Sequence, residues 1–111
     1  MMAIEAIVSA DFEEKILHEE AGILLDFWRE NCGACQSLSK ELAKVSEEMP
    51  DLKVYSANVD SETELVNKFR VMMAPTLLFI KGGAVKKRSI GFKPKDRIIE
   101  MANDYFGQHQ I

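Results

Sequence analysis

Two cysteines close together in sequence are the residues of this chain best suited to chemistry. They are Cys32 and Cys35, the only cysteines among 111 residues, and they stand in the stretch NCGAC. A pair at this spacing can exchange electrons by making and breaking a disulfide, or it can give two thiolates to a metal site. Two unreactive neighbouring thiols are the third possibility. Where the fold places the pair decides between these chemistries.

A metal site would need more ligands than this pair supplies, because structural zinc is enclosed by cysteine, histidine or carboxylate on all sides. The two histidines are His18, in the first predicted helix, and His109, in the tail GQHQI. The predicted order of elements brings neither of them near Cys32. A dimer could still hold a metal or an iron–sulfur cluster through two such pairs. We therefore predict no metal site within one chain, and the shared cluster stays open as an alternative.

The overall composition is that of an ordinary globular domain, with 47% hydrophobic and 29% charged residues. The formal net charge is −4, and no basic block or face is visible, so we expect neither nucleic acid nor a membrane surface as partner. The start, MMAIEAIVSADFEEK, has no signal-peptide pattern, and no apolar run approaches a membrane helix in length. We expect a single domain over residues 1–111, located in the cytoplasm. Structural disulfides are rare there, which favours a catalytic or metal-binding pair.

The cysteines fall between a predicted strand and a predicted helix. The stretch ILLDFW, residues 23–28, is nearly continuous in apolar residues, as expected of a central strand covered on both faces. Apolar spacings of three and four then predict an amphipathic helix over about 32–49, which Pro50 ends. A helix start favours an anion, so the pKa of the Cys32 thiol should lie below its ordinary value. Cys35, one turn deeper on the buried stripe, should keep its proton longer, as suits a resolving thiol.

The rest of the chain extends this pattern into a mixed sheet. Gly82 and Gly83 predict a hairpin turn, and Ser61 with Glu64 has the pattern of a capping box at a helix start. The βαβ units of the first half imply parallel strands, and the last hairpin adds antiparallel ones. The fold class is α/β, with a central mixed sheet of four to five strands flanked by helices on both faces. The other predicted elements are strands at 3–8, 52–60, 76–80 and 85–90, and helices at 11–20, at 65–69 and from Pro94 to Phe106.

Together these residues resemble the thioredoxin family over about residues 3–106. The stretches that carry the resemblance, each at the family's spacing, are ILLDFW (23–28), CGAC (32–35), NVD (58–60), APTLLFIKGG (74–83) and Gly91. The resemblance implies a thioredoxin-like fold and the reduction of protein disulfides through a redox-active Cys32–Cys35 disulfide, with no metal or organic cofactor. It also implies a monomer that receives electrons from a thioredoxin-reductase-type flavoprotein using NADPH.

The same resemblance implies individual roles. Cys32 would be the nucleophile and Cys35 the resolving thiol. Pro75 would be a cis-proline facing them, and the backbone of the residue before it would pair with an extended substrate. Gly33 and Ala34, between the cysteines, would tune the reduction potential. The implied substrate-binding residues are Asn31, Met73, Ala74, Pro75 and Gly91.

Asp26 matches the family's buried acid, and physical chemistry leads to the same expectation. A carboxyl group among Leu25, Phe27 and Trp28 is hard to bury as an anion, so desolvation should raise its pKa toward neutral. Such a group could accept the proton of Cys35, through water. An acid that reaches solvent at the strand end is the alternative. Trp28 is expected to pack beneath the site as structural support.

Several positions depart from the family. Asn31 stands where a tryptophan is usual and could cap the helix, Ala34 replaces a proline, and Gln36 replaces a basic residue. These changes keep a second hypothesis open, namely a binding or scaffold module of the same fold with weak redox activity. Survival of binding after loss of both cysteines would favour that hypothesis.

Two further departures concern the acid and the loop before Pro75. The lysine that usually accompanies the buried acid is missing near Ser56 and Ala57, so the pKa of the acid should lie higher still. Met72 and Met73 could form a soft, adaptable surface for substrates. Ordinary packing of the two methionines is the favoured expectation.

Overall fold

Five strands form one mixed sheet. In the computed structural model, which describes residues 4–107, the strands are β1 (Glu5–Ala6), β2 (Ile23–Trp28), β3 (Lys53–Asn58), β4 (Thr76–Lys81) and β5 (Ala84–Ile90). Their order across the sheet is β1-β3-β2-β4-β5, so β2 lies at the centre. β1, β3 and β2 run parallel, β4 is antiparallel to β2, and β5 is antiparallel to β4. The predicted mixed sheet is confirmed. The cysteines follow the carboxyl end of its central strand, β2.

Helices cover both faces of the sheet, as predicted. They are α1 (Gly33–Glu48), α2 (Thr63–Phe69) and α3 (Lys95–Phe106), together with a 3₁₀ turn (Ser9–Asp11) that leads into a π-helix (Phe12–Leu17). The buried residues of α1 and α3 share one core cluster, and those of α2 and the π-helix share the other. None of the helices within residues 4–107 has both the length and the apolarity needed to cross a membrane.

The alternating side chains of β2 point into two separate core clusters and decide on which face of the sheet Asp26 lies. Successive side chains of a strand point to opposite faces, so Leu25 joins the α2 cluster and Leu24 joins the α1 cluster. Asp26 therefore lies on the face that α1 covers. The predicted hairpin turn is also confirmed, since Gly82 and Gly83 have φ of +63° and +77°, the left-handed pair that a tight two-residue turn requires.

The N-terminal segment differs most from expectation. The predicted helix 11–20 ends at Leu17 and is a π-helix, whose wider turn does not preserve an apolar stripe of ordinary helical spacing. Ile16 is buried, whereas the next apolar residue, Leu17, is 40% exposed. The predicted strand 3–8 is reduced to two residues within the part that the structure describes, although the Ile7 N–H still donates to the Ser56 carbonyl at 2.8 Å. Residue 3 and His109 lie outside the described residues.

Two predicted helix starts also change. The capping box of Ser61 and Glu64 is wrong, because α2 begins after Glu62 and has no side-chain cap. The Glu62 carboxylate instead accepts hydrogen bonds from the Ser9 N–H at 2.8 Å and from the Ser61 hydroxyl at 3.0 Å, so a tertiary contact has taken the place of a local cap. Pro94, expected in the first turn of α3, is the residue that precedes the helix.

Candidate active site

The two cysteines lie at the junction between β2 and α1. β2 ends at Trp28 and α1 begins at Gly33, so the pair occupies the carboxyl end of the central strand, the edge at which open α/β sheets place their reactive groups. The sulfurs of Cys32 and Cys35 form a disulfide, with the Cα atoms 5.2 Å apart. Cys32 is half-buried and Cys35 only 3% exposed, which is the order of exposure that the sequence predicts.

The first turn of α1 donates a hydrogen bond to the Sγ of Cys32, the more exposed of the two cysteines. Cys32 is the N-cap residue, and its Sγ accepts a hydrogen bond from the Cys35 N–H at 3.1 Å. A sulfur thus takes the position that a serine or aspartate oxygen holds at other helix starts. The same N–H and the positive end of the helix dipole favour a thiolate at Cys32 once the disulfide is reduced.

Asn31 has a different role from the predicted helix cap. The cap position belongs to Cys32, and Asn31 has φ of +57° in the left-handed region. Asparagine tolerates this region better than most residues. Its side chain is exposed beside the disulfide, so the residue turns the chain from β2 into α1 while presenting an amide to solvent.

Asp26 is buried beneath this helix start. Only 2% of the residue is exposed, and its Oδ1 has no hydrogen-bond partner among the described residues. Desolvation raises the pKa of Asp26 from 3.8 to about 7, in the predicted direction and for the predicted reason. The alternative of an acid that reaches solvent at the strand end is wrong, because β2 is covered on both faces.

A cleft leads from the surface to this acid. Its volume is about 620 Å³, and Asp26, Cys35, Trp28 and Ser56 are among the residues that line it. Ser56 is the strand partner of Asp26 on β3, whereas Ala57 pairs with Phe27 and belongs to the opposite core cluster. Ser56 is therefore the position at which a side chain of β3 could meet the acid. Trp28 is part of the wall of this cleft, consistent with the supporting role expected for it.

The loop before β4 forms the other side of the site. The Ala74–Pro75 peptide bond is cis, as the resemblance implies. Thr76 pairs with Phe27 across β2 and β4, so Pro75 lies at the same edge of the sheet as the end of β2. The Thr76 hydroxyl donates to the Met73 carbonyl at 2.6 Å and closes the loop. Among the described residues no hydrogen bond uses the backbone of Ala74, which leaves its polar groups available to a partner.

Gly91 fixes this loop to the end of β5. Its N–H donates to the Pro75 carbonyl at 2.9 Å, and its φ is +90°, which L side chains rarely adopt. A Cβ at this position would meet nothing within 4 Å. Backbone conformation, not space, therefore requires glycine here. Gly33 has open space as well, and both it and Ala34 are exposed between the cysteines.

The exposed methionines correct one expectation. Met72 is 90% exposed and Met73 52% exposed, so the favoured prediction of ordinary packing is wrong for both. In this loop Val71 points into the core instead, at 9% exposure. The sequence also missed Ile90 and Phe92, which are 50% and 44% exposed on either side of Gly91. Two bulky apolar residues around a glycine were the only available signal.

Metal ligands do not gather at this site. Within residues 4–107 there is no group of three or more histidine, cysteine, aspartate or glutamate side chains that could hold a metal ion. The two sulfurs are bonded to each other, and Asp26 is the buried carboxyl group that lines the same cleft as Cys35. The arrangement can therefore exchange a disulfide and move a proton.

Comparison with known proteins agrees with this geometry. The thioredoxin family model matches residues 3–104. The thioredoxin of Bacillus subtilis is 38% identical over 102 residues, which cover 90% of this chain and 98% of that protein, and the thioredoxin of Mycoplasma genitalium is 34% identical over 91 residues, covering 82% and 89%. The crystal structure of a chloroplastic thioredoxin z gives a TM-score of 0.84 at 31% identity, covering 97% of this chain and 98% of that one. The fold, the cysteine pair and these matches show that the chain belongs to the thioredoxin family and is a thiol–disulfide oxidoreductase.

Proposed function

We propose that this oxidoreductase reduces disulfides of other proteins, with Cys32 as the attacking sulfur and Cys35 as the resolving one. One observation carries the assignment. The Cys35 N–H points at the Sγ of Cys32, the half-buried sulfur, while Cys35 itself lies beneath the surface. A stabilised thiolate that partners can reach is the better nucleophile, and a shielded thiol is suited to the second, intramolecular step.

The reaction transfers two electrons in two exchanges. The Cys32 thiolate attacks one sulfur of the substrate disulfide, forms a mixed disulfide and releases the first substrate sulfur as a thiolate. Cys35 then loses its proton and attacks the Cys32 sulfur. This second exchange releases the other substrate thiolate and leaves the Cys32–Cys35 disulfide seen in the structure. The substrate is reduced and the protein is oxidised.

Asp26 is the acceptor for the proton of Cys35 in this proposal. Both residues line the same cleft, which provides room for a bridging water. With its pKa raised to about 7 by burial, the carboxyl is close to half ionised at neutral pH. A group in that state can accept a proton in one direction of exchange and return it in the other.

Substrates bind along the outer side of the disulfide. The unpaired backbone groups of Ala74 suit an extended segment of the partner. Asn31 and Met73 are exposed at this edge, while Pro75 and Gly91 hold the loop through their hydrogen bond. These residues complete the substrate-binding set, and Gly33 and Ala34 tune the potential through the short ring that the disulfide closes.

The remaining assignments follow from the family. The protein acts as a single-domain monomer in the cytoplasm, needs no metal or organic cofactor, and is reduced by a thioredoxin-reductase-type flavoprotein that uses NADPH. Its bacterial relatives named thioredoxin support this proposal. A titration against glutathione or dithiothreitol would place its reduction potential and so test the direction of electron flow.

Insulin reduction with single-cysteine variants tests the roles. Cys32→Ser should abolish the reaction. Cys35→Ser should accumulate a mixed disulfide that survives non-reducing electrophoresis and is cleaved by dithiothreitol. Ser37→Ala, an exposed change on the same helix, is the matched control and should retain full activity. Full reductase activity in Cys32→Ser would refute the assignment.

A further inference from the structure

Exposed apolar side chains concentrate on one side of the disulfide. Within the described part of the chain, four of the eight large hydrophobic residues that remain exposed lie at one end of β4 and β5, either in the adjoining loops or, for Ile90, at the last position of β5. The Gly91 N–H donates to the Pro75 carbonyl and so joins the two segments. The Thr76 hydroxyl donates to the Met73 carbonyl within the loop before β4, and Ile90 pairs with Thr76. The four residues lie within three positions of Pro75 or of its hydrogen-bond partner Gly91, beside the cis-proline. They are Met72, Met73, Ile90 and Phe92.

Cations border the same surface. Lys93 donates to the Ile90 carbonyl at 3.3 Å, and Arg88 donates to the carbonyls of Phe69 and Arg70 at 2.6 and 3.5 Å. Among residues 4–107, the salt bridges involve none of Arg70, Arg88 and Lys93. Their positive charges are thus not neutralised by a carboxylate within the described structure.

The two sides of the disulfide differ in charge. Segments 70–75 and 91–94, beside β4 and β5, contain two cations and no carboxylate. The residues that follow β2 and β3, at 29–31 and 59–62, contain one cation and three carboxylates. Because the sheet order is β1-β3-β2-β4-β5, these groups lie on opposite sides of the cysteines. A chain with a net charge of −4 therefore presents a local positive, apolar surface next to its reactive sulfur.

We propose that this surface, which we call the basic rim (Arg70, Met72, Met73, Ile90, Phe92 and Lys93), selects disulfide-containing partners with an extended segment that carries a bulky apolar side chain and carboxylates beside the reacting cysteine. This inference rests on the proposed function and names its substrate class. The backbone of Ala74 holds the segment, Met72 and Phe92 contact its apolar side chain, and Arg70 and Lys93 attract its carboxylates. Flexible methionines suit several partners of this class rather than one.

Matched peptides provide the test. Each carries one cysteine in a mixed disulfide with a coloured nitrothiobenzoate, and the flanking residues are Leu-Glu-Glu, Leu-Lys-Lys or Gly-Glu-Glu. The reduced wild-type protein should release the dye from the Leu-Glu-Glu peptide about tenfold faster than from the Leu-Lys-Lys peptide in dilute buffer. The ratio should approach one at about 1 M salt, where exposed charges are screened.

Variants locate the effect. Arg70→Gln with Lys93→Gln should lower the preference for glutamate roughly threefold to tenfold, whereas Lys53→Gln with Lys86→Gln removes the same charge at the opposite end of the sheet and should leave the preference intact. Met72→Gln should lower the preference for leucine over glycine, and Val85→Gln, which also replaces an exposed apolar residue but at the far end of β5, should not.

The outcomes separate this inference from the proposed function. Equal rates for the acidic and basic peptides, with all three still reduced, would overturn the basic rim and leave the reductase assignment standing. An equal loss of preference in the Lys53 and Lys86 control would also overturn it, because net charge rather than position would then decide. Failure of the wild-type protein to reduce any peptide would overturn the proposed function.

Discussion

The two sides of the disulfide are built for different tasks. On the β3 side, a cleft leads down to Asp26, a carboxyl that is 2% exposed and whose Oδ1 has no partner in the described structure. On the β4–β5 side, apolar and basic side chains stand out in solvent around Pro75, and Met72 is 90% exposed. The first arrangement is costly to the folded state, while the second is nearly free of stability cost. Proton handling and partner binding can therefore be changed separately.

The largest expected difference comes from removing the charge of the buried acid. The pKa of Asp26 is about 7 in the folded state against an ordinary value of 3.8. Its contribution to stability is thus complete below pH 3.8 and is lost as the pH rises to 7. Asp26→Asn should remove this loss and raise the free energy of unfolding at pH 8 by about 2 to 4 kcal/mol, measured by urea denaturation between pH 4 and pH 8.

The exposed Asp60→Asn change is the control and should move stability by less than about 0.5 kcal/mol at any pH. Asp26→Asn should also slow release of the second substrate thiolate above neutral pH. An unchanged pH profile of stability would mean that the carboxyl is not buried as an acid.

On the opposite side, Gly91→Ala should lower the free energy of unfolding by about 1 to 2 kcal/mol. The cause is the φ of +90°, since a Cβ has room there. Displacing the Gly91 N–H from the Pro75 carbonyl should also lower kcat/KM for insulin. Gly33→Ala, which has open space and helical backbone, should not lower the free energy of unfolding. Equal effects of the two substitutions would contradict the role given to backbone conformation.

Ser56→Lys tests how a charge in the cleft changes the pKa of Asp26. An ammonium on the side chain at position 56, the strand partner of Asp26, should lower the pKa of the acid by about one unit or more, because an opposite charge favours the ionised form. Carboxyl chemical shifts in a pH titration would measure it. Ser56→Gln fills the cleft similarly without charge and should leave the pKa near its present value. A similar shift in both variants would attribute the change to bulk, not charge.

The smallest expected effect on stability lies at the rim. Met72→Ser should change the free energy of unfolding by less than about 0.5 kcal/mol while lowering kcat/KM for insulin roughly twofold. Met101→Ser removes a methionine that is 2% exposed on α3 and should cost about 2 to 5 kcal/mol. At a temperature below its unfolding transition, the Met101→Ser variant should keep the kcat/KM for insulin of the wild-type protein. A large stability loss at Met72 would place it in the core and end the contrast.

Local patterns in the sequence predict what depends on local physics. The apolar run at 23–28 and the stripe over about 32–49 are strong signals, and the strand, helix and junction they define are present. The buried acid is predictable as well, because a carboxyl inside an apolar strand has few ways to avoid burial.

Features that depend on long-range contacts are not predictable in this way. Ser61 and Glu64 have the pattern of a cap, yet the neighbouring Glu62 is drawn to Ser9, which is 53 residues away. Lys86, Lys87 and Arg88 are adjacent and alike in charge, but within the described structure it is Arg88 that donates a hydrogen bond to the end of α2. The basic rim likewise exists only because the sheet order gathers two distant loops.

The hydrogen bond from the Cys35 amide to the Cys32 sulfur has a consequence for turnover. It is already formed while the pair is oxidised, so the donor that steadies the reduced, charged sulfur is in place before any electron arrives. Cycling between the two redox states then demands little reorganisation of the chain around the sulfurs. Such a pair can be reduced and oxidised repeatedly by successive partners, and the rate of each cycle is then set by the encounter between the proteins.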